Sequence, residues 1–206
     1  MNNRFFILAA GVVILLNTAV FAQVSVWAGA TGGLGMFNEK ASGEGALTRD
    51  MKMGLVAGVV LDVAIVKMFS VEAGVGYSQR GSQIVEADGA QTKNNLSYLS
   101  IPVHAKLKYA VVPVISPFLL IGLNTGVLVS AQQEHGGEFI DIKDGYNSTD
   151  YGLDLGAGVE FSLANPVPFV EFVYNTGLSN LAKNATGDYS VKNNGMEIKA
   201  GLKFKL

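Results

Sequence analysis

The stretch "YLSIPVHAKLKY", Tyr98–Tyr109, alternates apolar residues with polar or backbone-restricting ones almost without interruption. Alternation with a period of two indicates a β-strand, because successive side chains of a strand point to opposite faces. The stretch fits two environments. In a soluble sheet its apolar side faces a core and its lysines face water. In a membrane barrel the apolar side faces lipid and the lysines point inward, so the rest of the chain has to decide.

The first 22 residues have the pattern of a secretory signal peptide. Arg4 supplies the positive charge, an apolar run follows over residues 5–21, and Val20 and Ala22 occupy the −3 and −1 positions of a cleavage site. An N-terminal membrane anchor is the alternative, since the run approaches the roughly 20 residues that span a bilayer. No positively charged stop-transfer cluster follows, so we expect cleavage before Gln23 and export from the cytoplasm.

The remaining residues, 23–206, are enough for one domain. Without Arg4 they carry 14 basic and 17 acidic residues, which gives no basic footprint for nucleic acid. The chain has no cysteine, although exported proteins can form disulfides, so another device must hold it together. No later apolar run is long enough for a spanning helix, and a membrane-bound form therefore has to be a barrel.

Eight alternating stretches predict an all-β chain. They cover residues 24–37, 51–65, 69–81, 96–109, 115–131, 150–163, 168–181 and 195–206. Short connections (66–68, 110–114 and 164–167) alternate with long polar ones (38–50, 82–95, 132–149 and 182–194). Short turns at one end and long loops at the other are typical of outer-membrane barrels. The sequence thus predicts an eight-stranded antiparallel up-and-down transmembrane β-barrel formed by residues 23–206.

The two faces of these strands differ in kind. One face is almost continuously apolar, whereas the other combines charged residues with glycine. Glycine weakens a water-facing strand, but it suits a narrow barrel interior that side chains must fill. Buried charges there have to pair, because an unpaired one is costly. We therefore expect a structural ionic network inside the barrel, made by Asp62, Glu72, Arg80, His104, Lys106, Lys108, Asp154, Glu160, Glu171, Glu197, Lys199 and Lys203.

Several motifs resemble a known family. They are "GVGYSQRGS" (Gly74–Ser82), the opening stretch, "YGLDLGAGVEF" (Tyr151–Phe161) and "FVEFVYNTGLSNL" (Phe169–Leu181). Together they resemble the PorT-like outer-membrane β-barrel family of Gram-negative bacteria. The resemblance implies an eight-stranded outer-membrane barrel, and most such proteins have no assigned activity. It also implies a carboxylate and an arginine at two positions where this chain has Ser100 and Val173.

The function we expect is non-enzymatic, with exposed loops that serve surface structure, adhesion or a secretion-related assembly. We expect no cofactor and no metal. The expected partners are outer-membrane lipid, the barrel assembly machinery during biogenesis, and an envelope protein bound through the loops, but no nucleic acid.

Alternative functions remain open at this stage. A narrow porin-like passage would use the polar interior. A lipid-modifying enzyme would use His104 as a base, with Ser97 or Ser100 as nucleophile and Glu72 or Asp62 as the orienting carboxylate. A soluble lipocalin-like carrier would reverse the two faces. The loop around His135, with three nearby carboxylates, could instead hold a divalent ion.

Overall fold

The structure, a computed structural model, describes residues 24–43, 49–85, 91–162, 165–183, 185 and 187–206. Within these residues it contains nine β-strands and one three-residue 3-10 helix, Lys143–Gly145. The strands are β1 (Ser25–Ser42), β2 (Asp50–Val66), β3 (Phe69–Val85), β4 (Gln91–Lys108), β5 (Ile115–His135), β6 (Glu138–Asp141), β7 (Thr149–Phe161), β8 (Val167–Gly177) and β9 (Ser190–Lys205). The predicted signal peptide, residues 1–22, lies outside the described residues. No helix in the described part is long and apolar enough to cross a membrane.

Eight of the strands close into a ring of antiparallel neighbours. The order runs from β4 back to β1, continues through β9, β8 and β7 to β5, and closes where β4 pairs with β5. A trace that starts at Trp27 and passes from each residue to its paired Cα on the next strand returns to β1 at Phe37, ten residues further along. In an eight-stranded barrel this stagger tilts the strands by about 40°. The predicted eight-stranded antiparallel barrel is confirmed.

The ring strands are longer at one end than the sequence pattern predicts. β1 continues to Ser42, β4 begins at Gln91, β5 reaches His135 and β9 begins at Ser190. Here both faces of the strands carry polar residues, so the apolar–polar alternation fades while the backbone pairing continues. We call this the loop end of the barrel, and the opposite end, with the short connections, the turn end.

Two details of the predicted strands were wrong. The third long connection contains β6, which pairs with β5 around Gly136 and Gly137, both at positive φ as a tight hairpin turn favours. The predicted strand 168–181 ends at Gly177, because Leu178 and Ser179 turn to donate their backbone N–H groups to Tyr151 O.

The outward face of the ring is apolar and the inward face is filled. Outward residues such as Met53, Leu123 and Ile198 have about 60% of their surface exposed, with values of 63%, 58% and 61%. Exposed aromatic rings flank this apolar band, with Phe69 and Phe204 near the turn end and Tyr77 and Tyr151 towards the loop end. The barrel thus buries its charged residues and exposes its apolar ones.

Candidate functional site: the ionic interior and the loop end

The turn-end cluster is the densest group of charges inside the barrel. Three lysines face three carboxylates there, so the formal charges balance: Asp62, Glu72, Lys106, Lys108, Glu160 and Lys203. Lys203 Nζ lies 2.5 Å from Asp62 Oδ2 and 2.6 Å from Glu160 Oε1. Lys108 Nζ approaches the same two carboxylates, at 2.8 and 3.1 Å. Sharing partners in this way keeps every charge of the cluster compensated away from water.

Aromatic and aliphatic side chains close the space around this cluster. The Lys106 ammonium lies 4.0 Å from the centre of the Phe118 ring, a cation–π contact, while it also donates to Glu72 Oε2 at 2.9 Å. Phe118 packs with Leu120 and Val173, and all three are at most 3% exposed. These three residues form an apolar plug, and Val173 belongs to it at the position where the family resemblance implies an arginine.

The middle cluster is built around His104 and Lys199. His104 Nε2 lies 2.9 Å from Asp154 Oδ2, and its other ring nitrogen lies 3.9 Å from Glu72 Oε1. Lys199 Nζ pairs with Glu171 at 3.0 Å and with Glu197 at 3.3 Å. The adjoining cavity measures about 50 Å³, so it has room for a few water molecules only.

A single arginine dominates the next layer towards the loop end. The Arg80 guanidinium lies between two aromatic rings, 5.8 Å from the centre of Phe37 and 5.2 Å from that of Tyr98. Its Nη1 donates to Asp150 Oδ2 at 3.2 Å, and its Nε donates to Ser78 Oγ at 3.1 Å. Both rings are at most 1% exposed, so this layer fills the cross-section of the barrel.

Glu39 ties the loop end together. Its buried carboxylate accepts hydrogen bonds from Ser82 at 2.5 Å, Asn94 at 2.9 Å and Tyr146 at 2.6 Å, and it pairs with Arg49 at 3.0 Å. These partners come from β3, β4 and two connecting loops. Burial and the adjacent Glu39 carboxylate both raise the pKa of the Tyr146 phenol, which therefore stays protonated and keeps donating.

All twelve charged residues proposed for the interior network point into the barrel and take part in these clusters. Sequence reasoning missed three further members: Glu39, Arg49 and Asp150. Glu39 lies two residues after Phe37 on the inward face of β1, and Asp150 lies four residues before Asp154 on the inward face of β7. Their inward orientation could therefore have been predicted from the alternation of the sequence, but Glu39 fell in a stretch predicted to be a loop.

Neither histidine lies in the arrangement that a serine-dependent enzyme or a metal site would require. His104 contacts carboxylates, while Ser100 Oγ donates to Asn124 at 2.8 Å and Ser97 faces outward, against the Tyr77 hydroxyl. His135 Nδ1 contacts Thr92 Oγ1 at 2.8 Å. Across the described residues, no group of three or more His, Asp or Glu side chains is placed to hold a metal ion.

A comparison with protein families decides what kind of barrel this is. The family model for an outer membrane protein beta-barrel domain matches residues 21–183. The chain belongs to this family. The apolar outward face of the barrel therefore faces the lipid of the outer membrane, and the soluble lipocalin-like alternative is wrong.

Solved outer-membrane barrels share the fold. Neisserial surface protein A (NspA) matches with a TM-score of 0.54 and 16% identity, over 89% of this chain and 99% of that one. OprG from Pseudomonas aeruginosa matches with a TM-score of 0.50 and 13% identity, over 89% of this chain and 98% of that one. No curated protein sequence matches the chain.

Proposed function

We propose that this outer-membrane barrel is closed to solutes, has no catalytic role, and acts through the surface at its loop end, in surface structure, adhesion or a secretion-related assembly. The observation that carries the proposal is the filled interior. Within the described residues the Phe37–Arg80–Tyr98 layer and the Phe118–Leu120–Val173 plug block the lumen at two heights. Eight-stranded barrels have interiors that side chains can fill, whereas water-filled porins need many more strands.

The loop end also offers a surface for contact. The β5–β6 hairpin lies at the loop end and exposes two consecutive apolar side chains, Phe139 at 61% and Ile140 at 55%. Behind it, Ile142 and Tyr146 pack on the buried cluster of Leu96, Tyr98, Leu128 and Ala131. A firmly anchored hairpin with exposed apolar residues suits binding to a protein or another surface, which supports the role in adhesion or assembly.

A narrow solute passage is the second candidate. A recess of about 250 Å³ opens at the turn end and is lined by Trp27, Ser70, Lys108 and Lys203 among others. The recess ends at the turn-end cluster, where the two lysines are held by Asp62 and Glu160. A solute would have to displace these ion pairs and then the aromatic layer above them, which favours the closed barrel.

Conductance of the full-length protein in planar lipid bilayers tests the proposal. We expect no steady current steps from the wild-type protein. Tyr98→Ala alone leaves the Phe118–Leu120–Val173 plug in place and should stay silent, whereas Tyr98→Ala/Phe118→Ala opens both levels and should admit ions. Tyr109→Ala, at a residue that is 64% exposed, is the control and should also stay silent. Steady steps from the wild-type protein that Tyr98→Ala enlarges would establish the passage instead.

Two finer assignments belong to this proposal. The motifs Gly74–Ser82 and Phe169–Leu181 support the PorT-like affiliation, and residues 1–22 support export by a cleaved signal peptide in a Gram-negative host. N-terminal sequencing of protein purified from such a host tests the second assignment. A first residue of Gln23 is expected, and retention of Arg4 would show that the segment is not cleaved.

A further inference from the structure

The lipid-facing side of β1 and β9 contains a groove. The groove measures about 450 Å³ and is lined by apolar residues, including Leu34, Met36, Met196 and Ile198. Its floor lies where Gly32 pairs with Ala200, because a glycine opposite an alanine leaves the surface recessed between larger neighbouring side chains. A groove of this kind in a bilayer is filled by an apolar chain.

Two lysines lie above the groove on the same two strands. Lys40 of β1 and Lys192 of β9 are direct cross-strand partners. Both lysine side chains point outward, because side chains alternate along a strand and the neighbours Glu39, Val191 and Asn193 are buried inside the barrel. Like charges directly opposite each other destabilise a strand pair. The ion pairs found among the described residues include neither lysine, so an anion between the two ammonium groups would relieve their repulsion.

The lysine pair lies at the depth of a lipid headgroup. Tyr174, Met196 and Met36 form one outward row across β8, β9 and β1. The next row contains Asn38 and Asn194, and the row after it contains the two lysines. Lys40 follows Gly32 by eight residues, about 26 Å of tilted strand. Because the strands tilt by about 40°, this length rises about 20 Å along the membrane normal. That rise matches one leaflet of a bilayer with its headgroup region, so the lysine pair lies one leaflet away from the floor of the groove.

We propose that this face of the barrel binds an anionic, phosphate-bearing lipid of the outer leaflet, with an acyl chain in the groove and a phosphate between Lys40 and Lys192. Lysine binds phosphate as a mobile point charge, and phosphate is the anionic group that lipids present at this depth. A second copy of the chain is a poorer occupant, because two copies would bring four lysines together. This inference is independent of the closed-barrel proposal.

The test measures lipid retained by the full-length protein in phosphatidylcholine nanodiscs by native mass spectrometry. The probe is lipid A with both phosphates, and the same lipid A without phosphates serves as the ligand control. We expect one lipid A per wild-type barrel and a loss of affinity of roughly thirty-fold for Lys40→Ala/Lys192→Ala. Lys67→Ala/Lys205→Ala removes two exposed lysines at the turn end and should leave binding unchanged.

Gly32→Leu tests the groove separately from the charge. A Cβ placed at Gly32 has no atom closer than 3.9 Å, so this variant should fold, fill the groove and weaken lipid A binding with both lysines intact. Inorganic phosphate should not displace the bound lipid, because it lacks the acyl chain. Equal binding by wild type and the double lysine variant, equal binding by Gly32→Leu, or absence of wild-type binding would each overturn the proposal.

Discussion

Arg80 and Asp150 stand 70 positions apart in the sequence and pair inside the barrel, where Arg80 Nη1 lies 3.2 Å from Asp150 Oδ2. Asp150 also accepts hydrogen bonds from Ser179 at 2.7 Å and Asn193 at 2.9 Å. The pair joins β3 to β7 across the lumen, and the connection from β8 to β9 is tied to the same carboxylate. One ion pair thus holds together strands that are not neighbours in the ring.

Asp150→Ala should strongly destabilise the barrel. The Arg80 guanidinium would keep its place between Phe37 and Tyr98 but lose its counter-charge, and removing one partner of a buried pair costs about 3–5 kcal/mol. Urea unfolding in lipid vesicles, followed on boiled and unboiled gels, measures the change. Asp188→Ala, at an exposed loop position, is the matched control and should change the free energy of unfolding by less than about 0.5 kcal/mol. Equal stability of the two variants would contradict the role given to the pair.

Gly122→Ala should destabilise the barrel by crowding its middle. A Cβ at Gly122 would overlap the Val103 carbonyl oxygen and lie 2.8 Å from the Cα of His104, its cross-strand partner. Overpacking of this kind costs about 1–3 kcal/mol. Gly145→Ala adds the same methyl group where no atom lies within 4 Å, and the same unfolding assay should find it close to neutral. A stable Gly122→Ala barrel would mean that the strands separate easily at this point.

Tyr146 should make the stability of the barrel fall in alkaline solution. Its pKa is raised in the folded protein, whereas the unfolded phenol ionises near its ordinary value of about 10. The stabilising contribution is therefore complete below that pH and decreases as the pH rises towards the folded pKa. The stability difference between wild type and Tyr146→Phe should shrink above about pH 10. A difference that stays constant from neutral to alkaline pH would place the phenol outside the Glu39 contact.

Phe139→Ser/Ile140→Ser tests the proposed surface role of the β5–β6 hairpin. Both residues are exposed, so stability should change by less than about 0.5 kcal/mol. Attachment of expressing bacteria to a solid surface should nevertheless fall towards that of cells that lack the protein. Lys183→Ala, at an exposed loop residue outside the hairpin, serves as the control. If cells with the hairpin variant attach as well as cells with the wild-type protein, the hairpin is not part of the contact surface.

The sequence predicted the part of the barrel that lies within the membrane well. Residues alternate there because one face of each strand contacts lipid and the other faces the polar interior. The outward orientation of Leu119, Ile121 and Leu123 and the inward orientation of Asp154 could therefore be predicted directly. Sequence reasoning failed at the loop end, where both faces of the strands carry polar residues and the apolar–polar alternation is lost. Glu39 and β6 lie in that region, and hydrogen bonds between distant segments decide their structure there.

The partners of the interior charges could not be predicted either. Parity places Lys106 and Lys203 inside, but only the register and stagger of the closed ring bring Lys203 to Asp62, 141 positions away. Likewise, the pairing of Lys40 with Lys192 depends on the register between β1 and β9. The sequence therefore showed which residues face inward, and the closed ring determined which of them meet.

Thiol labelling tests the central claim most directly, because the chain has no cysteine of its own. Single cysteines replace Leu123 on the lipid face, Ser100 in the interior and Ser148 in an exposed loop, and a small charged thiol reagent is added to protein in lipid vesicles. We predict rapid labelling at position 148 alone, with positions 123 and 100 reacting only after boiling in detergent. Rapid labelling at position 123 would contradict the lipid-facing assignment, and rapid labelling at position 100 would contradict the closed interior.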